Sequence, residues 1–477
     1  MSHPYIGTPR PHQVRALKKA WPHKHFGFFH AMRSGKTYTT INLAAARHMK
    51  NQIEALVIVC PTPIKDVWTR EFKSWSPIDV DSFIITAGCK KRFAAWLEKP
   101  KPKMPLLIAG IEAMSQGNAS DMLKDMLKKY KCMLVVDESS RIKNAQSTRT
   151  KKMIDFGGLA EYRLILTGTP TTQGIEDLYA QMQFLSHDIL DCKSYFIFKN
   201  RYCIMGGFEG KKILGYQFED ELMAKIAPYV DQVTKEEAMP NLPPNDYEDI
   251  YVEPTKEQIK AMAELKEWMM AEQDDKELTI KTIMERMTRF QQILGGHFPY
   301  DDEETGGYDV EPIKGKNPKL EALISVLDGM DRNTKVIVWA RFRPELAAIS
   351  EALIKVFGAE SVVEFHGGVE KDQRPKNSAA FQTDGNVRFM VANQTVGGMG
   401  QEWSAADAMV YYSNTFSYED RKQSEERAIH TDKRRSIFYL NIVANHPADK
   451  MITAALSRKQ DTAKWVEANL DKVKGEL

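Results

Sequence analysis

His30-Ala31-Met32-Arg33-Ser34-Gly35-Lys36-Thr37 decides the fold. It follows a short apolar run, Phe26 to Phe29, and leads into Tyr38 to Met49, which reads as a helix. Strand, Gly-Lys-Thr turn, helix is the layout of a phosphate-binding loop. The backbone N–H groups of such a turn and the positive end of the helix face the anion. In that setting Lys36 reaches the β- and γ-phosphates and the Thr37 hydroxyl ligates Mg²⁺. The full pattern opens with Gly, where this chain has His30. Taken alone, Ser-Gly-Lys-Thr reads equally well as a surface turn at a helix start, so the rest of the chain has to decide.

Composition sets outer bounds. The chain has 477 residues, room for roughly two to four domains, and 43% of them are hydrophobic. Lys plus Arg number 66 against 64 Asp plus Glu, a net charge of +2. Bulk charge therefore does not announce a nucleic-acid binder, and any such footprint must be local. The five cysteines form no C-x-x-C pair and no zinc spacing. They read as reduced thiols, with Cys60 and Cys132 in or beside apolar runs. Met1 to Tyr5 carries no signal-peptide pattern, and no apolar run reaches membrane-spanning length. The expectation is a cytoplasmic protein with no membrane segment.

Outward from the loop, Pro11-His12-Gln13 precedes a short amphipathic helix, Val14 to Trp21. The Gln13 carboxamide offers the donor and acceptor that an adenine edge needs; a solvated helix start would be the plainer reading if the Gly-Lys-Thr loop did not follow so closely. Ala55 to Cys60 is a continuous run ending in Pro61-Thr62, as a buried parallel strand would be. Ile84 to Thr86 and Leu106 to Gly110 read as further strands. Met133 to Val136 runs into Asp137-Glu138. An acidic pair there is where a phosphate-loop protein places its metal and its water, with Asp137 on Mg²⁺ and Glu138 polarising the attacking water. An acidic helix N-terminus is the rival reading. Arg163 to Leu166 then enters Thr167-Gly168-Thr169-Pro170.

Gln181 to Tyr229 reads as helical and aromatic-rich, and Asn241-Leu242-Pro243-Pro244 as a boundary, giving domains 1–240 and 241–477. Thr255 to Leu294 reads as one or two charged helices and Asp301 to Pro318 as an acidic, Gly-rich loop. A second strand–helix series runs through Lys335–Ala340, Val362–Gly368, Arg388–Asn393, Met409–Tyr412 and Phe438–Val443.

In this order the motifs resemble the Swi/Snf-like branch of the superfamily-two helicases, ATP-driven double-strand DNA translocases. The first series supplies Pro11-His12-Gln13, Met32 to Thr37, Val59 to Thr62, Asp137-Glu138-Ser139-Ser140 with Ile142-Lys143-Asn144, and Leu166 to Pro170. Asp177-Leu178-Tyr179 and Phe184-Leu185 follow. The second supplies Lys319-Leu320, Phe365-His366-Gly367, Thr395 to Gly400, and Gln423 with Arg427. The resemblance runs from Arg10 to about Lys459.

What the resemblance implies is an α/β fold of two RecA-like lobes, parallel sheets flanked by helices, with helical insertions and an inter-lobe ATP cleft. Gln13, Arg33, Ser34, Gly35, Lys36, Thr37, Gly398 and Gly400 would bind ATP, and Thr37 and Asp137 would hold Mg²⁺. Lys36, Glu138, Gln423 and Arg427 would carry the chemistry. Gln423 and Arg427 are spaced i,i+4, which puts both on one face of a helix. DNA would meet Pro61, Thr62, Gly110, Arg341, His366, Gly367, Asn393 and Thr395, through backbone N–H groups and hydroxyls that read no sequence. Two departures stand out: Ser140 where the family usually has His, and His430 where it has a second Arg, the arginine finger. Such a finger can be worth roughly 10³–10⁵-fold in rate, so Arg427, Arg434 or Arg435 would have to serve, or a protonated His430, or turnover would be slow.

The reading that follows is a DNA-stimulated ATPase and double-strand DNA translocase, monomeric, acting on double-stranded or branched DNA. Replication or recombination proteins are its expected partners. The absence of a visible reader module suggests a compact bacterial or viral version working in replication, repair or recombination. The rivals are a DNA-binding scaffold with weak or lost ATPase activity, a helicase unwinding branched or forked DNA, and a small-molecule kinase that leaves the second series unexplained.

Overall fold

The computed structural model describes residues 5–115, 117–171, 174–206, 212–240, 245–271, 279–302, 307–397, 402–429, 436–469 and 473. The chain divides into two compact units, Met1–Pro240 and Asn241–Leu477.

In the first unit the strands are β1 (His25–His30), β2 (Ala55–Cys60), β3 (Val80–Ile84), β4 (Met104–Gly110), β5 (Cys132–Asp137), β6 (Tyr162–Thr167), β7 (Cys203–Gly206), β8 (Lys212–Tyr216) and β9 (Val230–Val233). Seven of them form one parallel sheet in the order β3-β4-β2-β5-β6-β1-β9. Every residue of β2, β4 and β5 is buried, as parallel strands covered on both faces must be. Alternate residues feed opposite cores. Val57, Val59, Leu134 and Val136 pack on one face, and Leu56, Ile58, Met133 and Val135 on the other. The seven strands of this sheet point their carboxyl ends the same way, which is where an open α/β sheet collects its ligand-binding loops.

The second unit holds β10 (Asp246–Val252), β11 (His297–Asp302), β12 (Gly307–Pro312), β13 (Val336–Trp339), β14 (Val362–Phe365), β15 (Phe389–Ala392), β16 (Ala408–Tyr411) and β17 (Phe438–Ala444). Its six-stranded sheet is also parallel, in the order β10-β17-β16-β13-β15-β14.

Two expectations change. The acidic stretch after Asp301 is no simple loop, because β11 and β12 pair as an antiparallel hairpin. The stretch from Gln181 to Tyr229 is helical only in part: β7 and β8 form a second hairpin between the helices Tyr195–Tyr202 and Glu219–Ile226. Thr255 to Leu294, expected as one or two helices, is two, Lys256–Ala271 and Ile280–Leu294. The strands β9 and β10 carry no sequence signal of the kind the central strands have. Each is a sheet edge whose apolar residues are broken by adjacent polar ones, Asp231-Gln232 in β9 and Glu248-Asp249 in β10.

Candidate functional site

The loop after β1 is shaped by two residues in the left-handed region, Arg33 (φ 63°) and Gly35 (φ 85°). Gly35 is required twice over: its φ suits glycine, and a Cβ there would run into the Gln13 carboxamide. It stands at the N-cap of the helix Lys36–Met49, with no capping side chain and no acidic residue in the first turn. The first-turn amides therefore keep the positive electrostatic end of the helix directed at the loop.

Gln13 is built into this loop. Its Oε1 accepts the Arg10 N–H at 2.8 Å, and its Nε2 donates to the Ser34 carbonyl at 3.2 Å. His12 Nε2 meets the same carbonyl at 2.8 Å. Lys36 folds back, its Nζ donating to the carbonyls of His30 (2.9 Å) and Ala31 (3.4 Å). Those carbonyls hold the ammonium over the loop that would cradle a phosphate.

His30, at the position where the full pattern has Gly, is fully buried and bonded through Nε2 to Asp231 of β9 at 2.9 Å. Arg15 meets both oxygens of Asp231, each at 3.1 Å, and also pairs with Glu237. Burial opposes the Asp231 charge, yet His30 and Arg15 hold its carboxyl below the usual range. Burial also pushes the His30 imidazole below its usual value. The helix Pro11–Ala20, the loop and the edge strand thus form one network.

Across β6, the end of β5 presents Asp137. Its Oδ2 accepts the Trp68 indole N–H at 3.0 Å, and its Oδ1 accepts the Glu138 backbone N–H at 3.0 Å. Burial pushes the Asp137 carboxyl above its usual value, with the Lys36 charge and these two donors pulling the other way. Glu138 sits at φ 53°, a region that costs a non-glycine residue on the order of 1–3 kcal/mol and recurs at active sites. Ser139 donates to Gln181 Oε1 at 2.7 Å, and Gln181 Nε2 donates to the Pro170 carbonyl at 2.7 Å. Gly168 backs onto Met32 and the His30 carbonyl. The loops after β1, β5 and β6 are therefore one connected surface.

These residues fit Mg·ATP. Mg²⁺ bound with a nucleotide takes one or two protein oxygens and keeps phosphate and water for the rest. Thr37, in the first turn of the helix Lys36–Met49, and Asp137, at the end of β5, would be such a pair. Among the described residues no group of three or more His, Cys, Asp or Glu is arranged to hold a metal, and a nucleotide-borne Mg²⁺ requires none.

Thr62 and Gly110, at the ends of β2 and β4, are brought together with Glu112 and Arg141, which sequence reasoning had not selected. Thr62 bonds Glu112 through its N–H (3.0 Å) and its hydroxyl (2.7 Å). Pro61 is buried beside them.

In the second unit Arg341, His366 and Asn393 lie just past the ends of the neighbouring strands β13, β14 and β15. Asn393 Nδ2 donates to the carbonyls of Ala340 (3.2 Å) and Arg341 (2.8 Å), and its Oδ1 accepts the Thr395 N–H at 3.0 Å. The Asn393 side chain thus ties the end of β13 to the end of β15. Arg341 bonds Gln291 at 3.0 Å, with its guanidinium 3.9 Å from the Phe416 ring centre. Gly367 is exposed, and its carbonyl accepts from Arg374 at 3.0 Å.

Gln423 and Arg427 are both buried, and the single helix face expected for them is not present. The α-helix runs Tyr418–Glu425 and Arg427 belongs to the 3₁₀ turn Glu426–Ala428. The i,i+4 rule holds only while the α-helix continues. The Arg427 Nε instead donates to the Gln423 carbonyl at 2.9 Å. The Glu425 carboxylate is taken at 2.7 Å by Arg421, which also bonds Asn441 at 2.6 Å. Gly398, Gly400, His430, Arg434 and Arg435 lie outside the described residues.

Residues 24–297 match the SNF2-related domain, and residues 318–432 match the helicase conserved C-terminal domain. A Caenorhabditis elegans protein, the SWI/SNF-related matrix-associated actin-dependent regulator of chromatin subfamily A-like protein 1 homolog, is 24% identical over 87% of this chain and 56% of its own length. An uncharacterized ATP-dependent helicase of Mycoplasma genitalium is 24% identical over 96% of this chain and 42% of its own. The chain thus spans about half the length of these relatives. The solved Sulfolobus solfataricus SWI2/SNF2 ATPase core in complex with dsDNA aligns over 100% of this chain and 98% of that one, at 19% identity and a TM-score of 0.44.

Proposed function

Since the chain belongs to the SNF2-related family of ATP-dependent helicase-type ATPases, we propose that it is a DNA-stimulated ATPase that translocates on double-stranded DNA. The observation that carries the reading is the joined surface of the first unit. A glycine-started helix with Lys36 and Thr37 faces a buried Asp137 held by Trp68, and Ser139 and Gln181 tie that acid to the Thr167–Pro170 loop.

In this proposal Gln13 and the first turn of the helix Lys36–Met49 orient the nucleotide. Lys36 leaves its loop carbonyls for the phosphates, and Glu138 positions the attacking water. Thr37 and Asp137 hold Mg²⁺, which neutralises phosphate charge when bound. Arg427 supplies the positive charge that phosphoryl transfer requires, with Gln423 beside it. Thr62, Gly110, Arg341, His366, Gly367 and Thr395 meet DNA phosphates, and Asn393 fixes the backbone at Arg341 and Thr395. Among the described residues no helix is long and apolar enough to cross a membrane. Replication, repair and recombination remain the proposed settings, with branched or forked DNA a proposed substrate.

The test is phosphate release from Mg·ATP with and without duplex DNA, for the wild type, Lys36→Ala and His430→Arg. Stimulation by duplex that is lost in Lys36→Ala establishes the motor. His430 at the family's second-Arg position favours one rival reading, a scaffold with weak or lost ATPase activity. Turnover in His430→Arg alone would select it.

A further inference from the structure

At the carboxyl ends of β2 and β4 an anion site is built and already filled. Cys60 and Gly110 are register partners on these adjacent strands. The residues two beyond each, Thr62 and Glu112, therefore leave the sheet side by side. Both donors of Thr62 point at one Glu112 oxygen, the N–H at 3.0 Å and the hydroxyl at 2.7 Å. Arg141, from the turn after β5, donates to the other oxygen at 3.3 Å. Gly110 permits the approach, since a Cβ there would run into the Thr62 hydroxyl.

Burial opposes the Glu112 charge, yet the Thr62 hydroxyl, backbone N–H groups and Arg141 hold the carboxyl below its usual range. The occupant is thus an ionised carboxylate at neutral pH. Thr62 also opens the 3₁₀ turn Thr62–Ile64, which continues into the helix Lys65–Trp75. A hydroxyl, a backbone N–H at the start of a helical segment and a guanidinium, spread over two oxygens of one anion, form a donor set for a phosphodiester that reads no base.

We propose that Glu112 is an internal stand-in for a DNA phosphate, an autoinhibitory carboxylate that must swing aside before the Thr62 turn grips the duplex backbone. The inference rests on the DNA-translocase reading above. The Glu112 side chain is 40% exposed, so it can leave for solvent without opening a core. While it stays, only a fraction of molecules can bind at this turn, and the apparent affinity falls by that fraction. A carboxylate that merely organises Thr62 and Arg141 for DNA would act in the opposite direction.

The experiment is fluorescence anisotropy of the full chain with a short fluorescein-labelled DNA duplex. It compares the wild type, Glu112→Gln, Glu112→Ala and the double variant Glu112→Ala with Thr62→Val, after thermal melting has shown that all four fold. Both single variants are expected to bind on the order of tenfold more tightly, the scale of a lost charge-assisted contact, and the double variant to lose that gain. Wild-type binding with equal or weaker binding in both single variants overturns the stand-in and leaves the translocase reading standing. A gain that survives in the double variant also overturns it, because charge removal alone would then explain the effect. No duplex binding by any of the four overturns the translocase reading and this inference with it.

Discussion

Asp137 in the first unit and Asp449 in the second are both nearly buried carboxylates, 8% and 5% exposed, with different kinds of partner. Asp449 is matched by a cation, Lys319, at 2.5 Å, and accepts the Ala444 N–H at 2.9 Å. Lys319 also donates to the Tyr412 carbonyl at 3.1 Å. Asp137 is bonded by neutral donors, an indole and a backbone N–H. A buried carboxylate is costly unless a cation compensates it. Asp449 already has its cation and acts as scaffolding, whereas Asp137 keeps a raised pKa and is suited to a cation that arrives with substrate. The second unit repeats the satisfied pattern around Arg421, bonded to Glu425, Asn414 and Asn441 and lying 3.3 Å from the Tyr411 ring centre.

If this contrast is right, the largest effects fall on the charges that serve chemistry. Arg427→Ala is expected to lower DNA-stimulated phosphate release by about 10³–10⁵-fold, the range of an arginine finger, with nucleotide binding little changed. The comparison breaks if thermal melting shows that this variant chiefly unfolds, because Arg427 would then belong with Arg421 as scaffolding. Lys36→Ala is expected to cost about 10²–10³-fold in turnover, as loss of an electrostatic donor does. Its melting temperature should stay near that of the wild type, since Lys36 is partly exposed and, among the described residues, bonds its own loop.

Trp68→Phe sharpens the contrast at Asp137 itself. The indole N–H favours the ionised carboxylate, so its loss drives an already raised pKa higher. A hydrogen bond to a charged group is worth about 1.5–3 kcal/mol, or about one to two pH units. Mg²⁺ needs the ionised form, so the acidic limb of the pH–rate profile should move to higher pH by that amount. A variant that loses activity equally at all pH values would make Trp68 a packing residue only.

The comparison also marks what the sequence could reveal. The phosphate loop and Asp137 were readable because each ends a continuous apolar run, and a buried parallel strand leaves such a run. Buried charge pairs leave no comparable trace. Arg15 and Asp231 are 216 residues apart, and Asp231 sits in a four-residue edge strand whose two central residues, Asp231 and Gln232, are polar and leave no apolar run. Glu112 lies two positions beyond Gly110, and only the register of β2 on β4 shows that it faces Thr62. The β11–β12 hairpin was hidden by its acidic, Gly-rich composition. The i,i+4 spacing of Gln423 and Arg427 assumed a helix that stops at Glu425.

The smallest effect is expected at Glu345, the second unit's own raised-pKa carboxyl. Burial pushes it up to about 7, against the Ser413 hydroxyl, the Lys319 charge and the Phe342 N–H. The Ser413 hydroxyl that donates to Glu345 also accepts the Arg341 N–H at 2.8 Å, so this acid helps to set the strand-end row. An unfolded Glu titrates near pH 4.3. Between about pH 4.3 and about 7 the folded state therefore binds more protons than the unfolded state, and stability falls as pH rises, by up to about 1.4 kcal/mol per pH unit. Glu345→Gln keeps an acceptor for Ser413 and removes the titration, so its stability should be flat across that window and exceed that of the wild type at about pH 8. Urea unfolding at about pH 5 and about pH 8 measures the difference. The same pH dependence in the variant and the wild type would show that the second unit's buried charges titrate elsewhere, and the contrast with Asp137 would then rest on Lys319 and Asp449 alone.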